Sequence, residues 1–544
     1  MSEDLTMDLA PRDARAHVGL RVLQLGAVAV IVAACTWKEY ELDRFFVPKE
    51  LSLHLTALVA GALAARSFRR MRASPVDLLL IAVLALGAVS AVFATNHWLA
   101  LRALTITASG VLIFWAARAV RVAGASRPLL AGLAFAVFAG AVSSLLQTYG
   151  VETELFSINR APGGTLGNRN FVAHLAAFGF PLLLLVALRA STGAGYVLSA
   201  AGIAVVAGTL IITRSRAAWL AFAAVLLVFF ASMIAARALR RDGRTWRRMA
   251  GLLVLAASGV AGALLVPNTL EWRSDNPYLE SLTEVANYQE GSGRGRLIQY
   301  RRTLQMAVGS PLLGVGPGNW AVEYPEHAEG GDPSMDGNQA GMTSNPWPSS
   351  DWVAFIAERG LVATLLLGLA FTSIVIGSMR RVTRTEDPAD ALAGAAVIGT
   401  VVGAGVAGAF DAVLLLALPT LIVWAVLGAL WVPRQDTPAE ALETASPVRF
   451  AGLVRPAFVL LLVVAAAGAL RSTLQLTAMG IDSQTGSTAW RARAAVLDPG
   501  NYRLRLRLAR SSSGLPRETR CEHATAARAL FPSASAARDL SAGC

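Results

Sequence analysis

Five arginines stand where apolar stretches meet polar ones: Arg169 in GTLGNRNF, Arg214 and Arg216 in TRSRAAW, and Arg294 and Arg296 in GSGRGR. Guanidinium groups bind phosphate oxygens two at a time, so such a set suits a phosphorylated substrate. Glycines beside Arg169 let backbone N–H groups approach an anion. TRSR precedes a helical run, and the positive N-terminal end of a helix attracts anions further. Asn170 and His174 are one helical turn apart, so both can face the same site. For a single arginine, interfacial snorkelling is the plainer reading. Three such motifs together favour a binding site.

A second group lies in TSNPWPSSDWVAFIAERG, residues 343–360, at the mouth of an apolar run. Charge at that depth is costly, so Asp351 and Glu358 need a purpose. They are seven residues apart and share one helical face. Asp351 is a candidate base, because burial moves a carboxylate toward neutral pH, where a general base works best. It can equally cap the helix. Glu358 is expected to pair with Arg216 or Arg296. Trp347 and Trp352 are expected as interfacial anchors or sugar-stacking rings. His327, on the polar stretch upstream, is a second candidate base, whereas His174 reads first as a hydrogen-bonded core histidine.

The frame that positions these residues follows from composition. The chain has 544 residues, of which 55% are hydrophobic and 15% charged, with a mean hydropathy of +0.52. A soluble chain carries roughly a quarter charged residues. Its apolar blocks are long enough to cross a bilayer, roughly 20 residues each. The expected fold is an all-α polytopic integral membrane protein with about 12–13 transmembrane helices. A transmembrane barrel is excluded, because its strands alternate apolar and polar residues.

Three basic stretches, RSFRRMR (66–72), RALRRDGRTWRR (237–248) and RRVTR (380–384), each follow an even-numbered span. The positive-inside rule places all three in the cytoplasm. The N-terminus is then cytoplasmic, the C-terminus periplasmic, and all five arginines face the outer side. The formal net charge of +12 reads as topology, not as nucleic-acid binding. Residues 1–17 form a cytoplasmic leader, 18–470 the membrane domain with a large periplasmic loop at 267–351, and 471–544 a periplasmic helical tail.

Within the loop, Leu297, Tyr300, Leu304 and Ala307 recur at helical spacing, which predicts an amphipathic helix at the membrane surface. GVGPGN (314–319) predicts a tight turn, and 326–345 a mobile flap. In the tail, LDPGN and LFPSA lie 33 residues apart, close to the tetratricopeptide period of about 34. A plain helical tail is the competing reading; either would bind protein partners. Cys521 and Cys544 both fall there and are candidates for a disulfide in an oxidising compartment, although sequence alone does not fix the pairing. The chain has no Walker motif, no HExxH and no Cys/His cluster with ligand spacing, so neither metal nor cofactor is expected.

Four stretches together resemble the O-antigen ligase and polymerase superfamily: GTLGNRNFVAHLAA (164–177), TRSRAAWLA (213–221), GRLIQYRRTLQMAVGSPLLGVGPGNW (295–320) and SSDWVAFIAERGLVA (349–363). The resemblance implies a metal-independent, inverting membrane glycosyltransferase. Its donor would be a glycan on undecaprenyl diphosphate, and its acceptor a glycolipid, glycan or protein hydroxyl in the periplasm of a bacterial inner-membrane system. Arg216 and Arg296 match the arginines taken to hold the donor diphosphate. The histidine that the family places as base is Ser349 here. Asp351 or His327 could replace it, or the chain could lack transferase activity or use a reaction that needs no base. A lipid-linked glycan flippase and a non-catalytic assembly scaffold are the alternative functions.

Overall fold

The computed structural model describes residues 14–68, 73–272, 274–283, 289–433, 451–511 and 514–544. Most of the leader 1–17 and part of the basic stretch 66–72 lie outside the described residues. The described residues form helices and turns, with no β-strand among them.

The first half of the chain contributes α1 (Ala14–Val32), α2 (Asp43–Phe68), α3 (Pro75–Val92), α4 (His97–Val122), α5 (Ser126–Thr148), α6 (Arg169–Leu188) and α7 (Gly193–Ile212). Next come α8 (Arg216–Ala235), the short α9 (Arg237–Arg240) and α10 (Gly243–Leu265). The large loop carries α11 (Pro277–Thr283), α12 (Gly291–Gly309) and α13 (Trp320–Glu323). The bundle resumes with α14 (Asp351–Arg384), α15 (Pro388–Ala407), α16 (Ala417–Leu430) and α17 (Ala451–Gln484). The tail adds α18 (Thr488–Leu497), α19 (Tyr502–Ala509), α20 (Arg517–Leu530) and α21 (Ser535–Ala542).

Eleven of these helices are long and apolar enough to cross a membrane, which makes this a multi-pass membrane protein. Large apolar side chains such as Leu25, Leu227, Leu265, Leu365 and Val463 are exposed on them, as lipid-facing residues are. Two further bundle helices fall short of that measure for physical reasons. α2 carries Asp43, Arg44, Lys49 and Glu50 in its first turns. Those charges are compensated inside the fold: Arg102 of α4 pairs with both Asp43 (3.1 Å) and Glu50 (2.7 Å). α16 has only 14 residues but is buried along its whole length, with Trp424 stacked on Phe371 and edge-on to Phe114.

Hydrogen bonds sort the connections to two ends of the bundle. One end gathers the α1–α2, α3–α4, α5–α6 and α15–α16 connections, the large loop and the tail; examples are Arg44 to Glu154 O (2.7 Å) and Asn96 to Leu530 O (3.1 Å). The other end is rich in arginine, with Arg248 donating to Leu188 O and Ala190 O and Arg381 bonded to Asp390.

The tail differs from its expected boundary, because α17 runs unbroken past 470 to Gln484. Four helices, α18–α21, follow in the tail, and a disulfide joins Cys521 to Cys544. The 326–345 segment also differs from a mobile flap. Tyr324 donates to Asp332 (2.7 Å), Ser344 N–H to Ser334 O (2.8 Å), and Met335 bridges Thr343. Ser535 N–H of the tail donates to Ala340 O (3.0 Å), and Met342 packs into the Tyr502, Ala527, Leu530 and Ala534 cluster. The composition suggested mobility, but internal turns and the tail hold the segment.

Candidate functional site

GTLGNRN is shaped from beneath by a lysine. Lys49 of α2 is buried, and its ammonium donates to Thr165 O (2.9 Å), Ile31 O (3.2 Å) and Ala33 O (2.6 Å). A single side chain thus ties the 164–166 turn to the C-terminal end of α1, where helix carbonyls lack helical partners. Asn168 then caps α6, accepting from Asn170 N–H (3.0 Å). This capping fixes the first turn of α6 and therefore the positions of Asn170 and His174.

Both residues meet a carboxylate that no sequence motif marks. Asn170 Nδ2 donates to Asp411 Oδ2 (3.4 Å), and His174 Nδ1 lies 4.0 Å from the same oxygen. Asp411 sits in the connection between α15 and α16, and its side chain keeps 16% of its surface open. His174 is buried, as expected, but neither ring nitrogen has a hydrogen-bond partner among the described residues.

The arginines arrive from two helix N-termini. Arg216, the first residue of α8, donates to Ser292 Oγ (2.6 Å) in the first turn of α12. Arg296 follows one turn later on α12, half-buried and within electrostatic reach of His174. It makes no side-chain hydrogen bond or ion pair with the described residues. Arg294 is exposed on the same turn. Arg169 and Arg214 do something else: both pack on the Trp272 ring, at 5.0 and 4.7 Å, and Arg214 pairs with Glu280 (3.2 Å). They fasten the loop before α11 to the bundle.

Asp351 is completely buried, and its two oxygens accept the N–H groups of Val413 (2.9 Å) and Leu414 (2.7 Å). Ser350, not Asp351, caps α14. Each oxygen of this carboxylate is thus committed to a backbone N–H, and the side chain has no exposed surface. Ser349 donates its N–H to Gln299 Oε1 (2.6 Å) and accepts from the Tyr300 hydroxyl at its carbonyl (2.6 Å), so α12 and the start of α14 are locked together. Trp352 donates to Gly405 O (2.9 Å) and is an anchor between α14 and α15. Trp347 instead packs edge-on to Phe46 (5.0 Å) and beside Phe171 (6.3 Å).

One expectation is corrected. Glu358 pairs with neither Arg216 nor Arg296; it accepts the N–H groups of Gly318 (2.8 Å) and Trp320 (3.2 Å). This explains GVGPGN: Gly314, Gly316 and Gly318 all have positive φ, and a Cβ on Gly314 would come within 2.4 Å of the Glu358 backbone. The glycine turn is a socket for α14. His327 closes a short 3-10 turn after α13, and no hydrogen bond or ion pair joins its side chain to Asn170, His174 or Asp411.

The expected helix at 297–307 is present, with Leu297, Leu304 and Val308 exposed as an apolar stripe. Its buried side is formed by Gln299, Thr303, Met306 and Ala307.

A bundle of membrane-crossing helices defines a polytopic membrane protein, and this one gathers arginines, an amide and a part-open carboxylate at one end. Residues 200–368 match the family model for O-antigen ligase, and this match supports membership of the O-antigen ligase superfamily of polysaccharide ligases and polymerases. The matched segment includes Arg214, Arg216, Arg294, Arg296, Ser349, Asp351 and Glu358, while Asn170, His174 and Asp411 lie outside it. No curated protein matches the chain.

Proposed function

We propose that this protein transfers a glycan from undecaprenyl diphosphate to an acceptor hydroxyl on the periplasmic face of a bacterial inner membrane. The loop-rich end is then periplasmic and the arginine-rich end cytoplasmic, which agrees with the positive-inside rule. The acceptor is a glycolipid, a second glycan or a protein.

The observation that carries the reading is Arg296: half-buried, without a partner among the described residues, one turn from the Arg216–Ser292 contact and beside the Asn170–His174–Asp411 group. A cation at that depth calls for an anion. In the reaction, the acceptor oxygen attacks the anomeric carbon and its proton passes to Asp411. The bond from that carbon to the diphosphate oxygen breaks, and the electron pair leaves with the diphosphate. Arg216 and Arg296, with the N-termini of α8 and α12 behind them, stabilise the charge that develops on it. Asn170 orients the Asp411 carboxylate, and Asp351 holds the chain that carries it.

Purified protein, a lipid-diphosphate glycan and candidate acceptors test the function directly. Glycan on an acceptor together with free lipid diphosphate is the expected result. Movement of intact donor across liposomes without transfer would make the protein a flippase instead.

A further inference from the structure

The arginine-rich end contains a cavity of about 410 Å³ that has no part in the proposed transfer. Arg127 at the start of α5, Arg189 after α6, and Arg244 and Arg248 in the first turns of α10 converge on it. Membrane topology accounts for arginines at this end; it does not account for four of them around one hollow.

Their partners deepen the puzzle. Arg127, Arg189 and Arg244 make no ion pair with the described residues, and the Arg189 Nε is buried without a hydrogen-bond partner. Burial, and after it the nearby Arg127 charge, hold Arg189 below its ordinary range. The single carboxylate in the lining, Asp242, is committed to capping α10 through Arg244 N–H (3.1 Å), Thr245 N–H (3.3 Å) and the Thr245 hydroxyl. Asp387 caps α15, and Asp390 is bonded to Arg381. The acidic groups nearby are therefore occupied, and the cavity keeps an excess of positive charge.

Two helix N-termini, those of α10 and α15, also line it. Leu188, Pro388 and Leu392 supply an apolar wall beside the charges. A basic hollow between transmembrane helices with one greasy side suits a phosphate group joined to a lipid. Its volume falls in the range of small-ligand sites, roughly 300–1,000 Å³.

We propose that this cavity binds a phosphate group, held by Arg127, Arg189 and Arg244, with Arg248 fixing the α6–α7 connection. An anionic phospholipid headgroup and free phosphate are the two sources of that chemistry.

Native mass spectrometry of the full chain in detergent tests the site. The probes are cardiolipin, phosphatidylglycerol, phosphatidylcholine and inorganic phosphate. The expected result is retention of an anionic lipid or phosphate under activation that strips phosphatidylcholine. Arg189→Gln combined with Arg244→Gln should lower that occupancy about tenfold or more, since each arginine–phosphate contact is charge-assisted. Arg237→Gln combined with Arg240→Gln, outside the lining, serves as the control and should retain it. Retention of cardiolipin or phosphatidylglycerol but not phosphate identifies the headgroup; retention of phosphate alone identifies the soluble anion. Equal occupancy in the two double variants, or no anion preference in the wild type, overturns the proposal. Thermal unfolding without added lipid, measured in parallel, separates lost binding from lost folding.

Discussion

Asp351 holds the chain segment that carries Asp411: its carboxylate accepts the N–H groups of Val413 and Leu414, two and three residues beyond Asp411. Asp411 in turn faces Asn170, 241 residues away in sequence. The acid at the helix mouth is thus the support, and the acid it supports keeps part of its side-chain surface open.

The two aspartates should therefore fail differently. Asp411→Asn removes the proton acceptor while keeping a hydrogen-bonding side chain of the same shape. Turnover should drop by about 10²–10⁴, the usual contribution of a general base. Thermal stability in detergent should stay near wild type.

Asp351→Asn should act on stability first. One of the two backbone N–H groups would face an amide donor, leaving a buried donor without a partner, at a cost of about 1–3 kcal/mol. Melting should shift downward, and activity should fall with the displaced Asp411. Unchanged melting would contradict the structural role.

The glycine turn offers a test of the socket. Gly316 has φ +103°, and a Cβ there would lie 2.4 Å from the Ala94 Cβ. Gly316→Ala should destabilise the protein by about 1–3 kcal/mol, the range for backbone held in a sparsely populated conformation. Diphosphate binding by the surviving folded fraction should be intact, because the turn touches the α3–α4 connection, α4 and α14, not the donor.

Met342→Asp tests the hold of the tail on the 336–345 segment. The charge would enter the cluster with Tyr502, Leu530 and Ala534. Limited proteolysis should then cut within 336–345 faster than in the wild type. Cleavage at the wild-type rate would show that the tail does not hold the segment.

Much of the frame was legible in the sequence because hydropathy reports burial in a bilayer directly. The starts of α6, α8 and α14 were legible for a similar reason: polar and glycine residues punctuate apolar runs. Asp411 was not, because no motif surrounds it. Its partners come from α6, and only the folded bundle brings them together. One signal was available, a lone acid inside the apolar stretch from 391 to 431. The uses of Glu358 and Lys49 were hidden for a different reason. Both bind backbone groups, and side-chain pairing rules cannot foresee a backbone partner.

The most direct measurement is transfer by purified Arg296→Ala in liposomes loaded with an undecaprenyl-diphosphate glycan and an acceptor, compared with wild type and with Arg296→Lys. Wild type should release lipid diphosphate as glycan appears on the acceptor. Arg296→Ala should lose about 10²-fold or more of the rate, the scale of one removed charge stabiliser, and Arg296→Lys should recover part of it. Wild-type rates in Arg296→Ala, with the protein folded and inserted, would contradict a donor diphosphate held at this site.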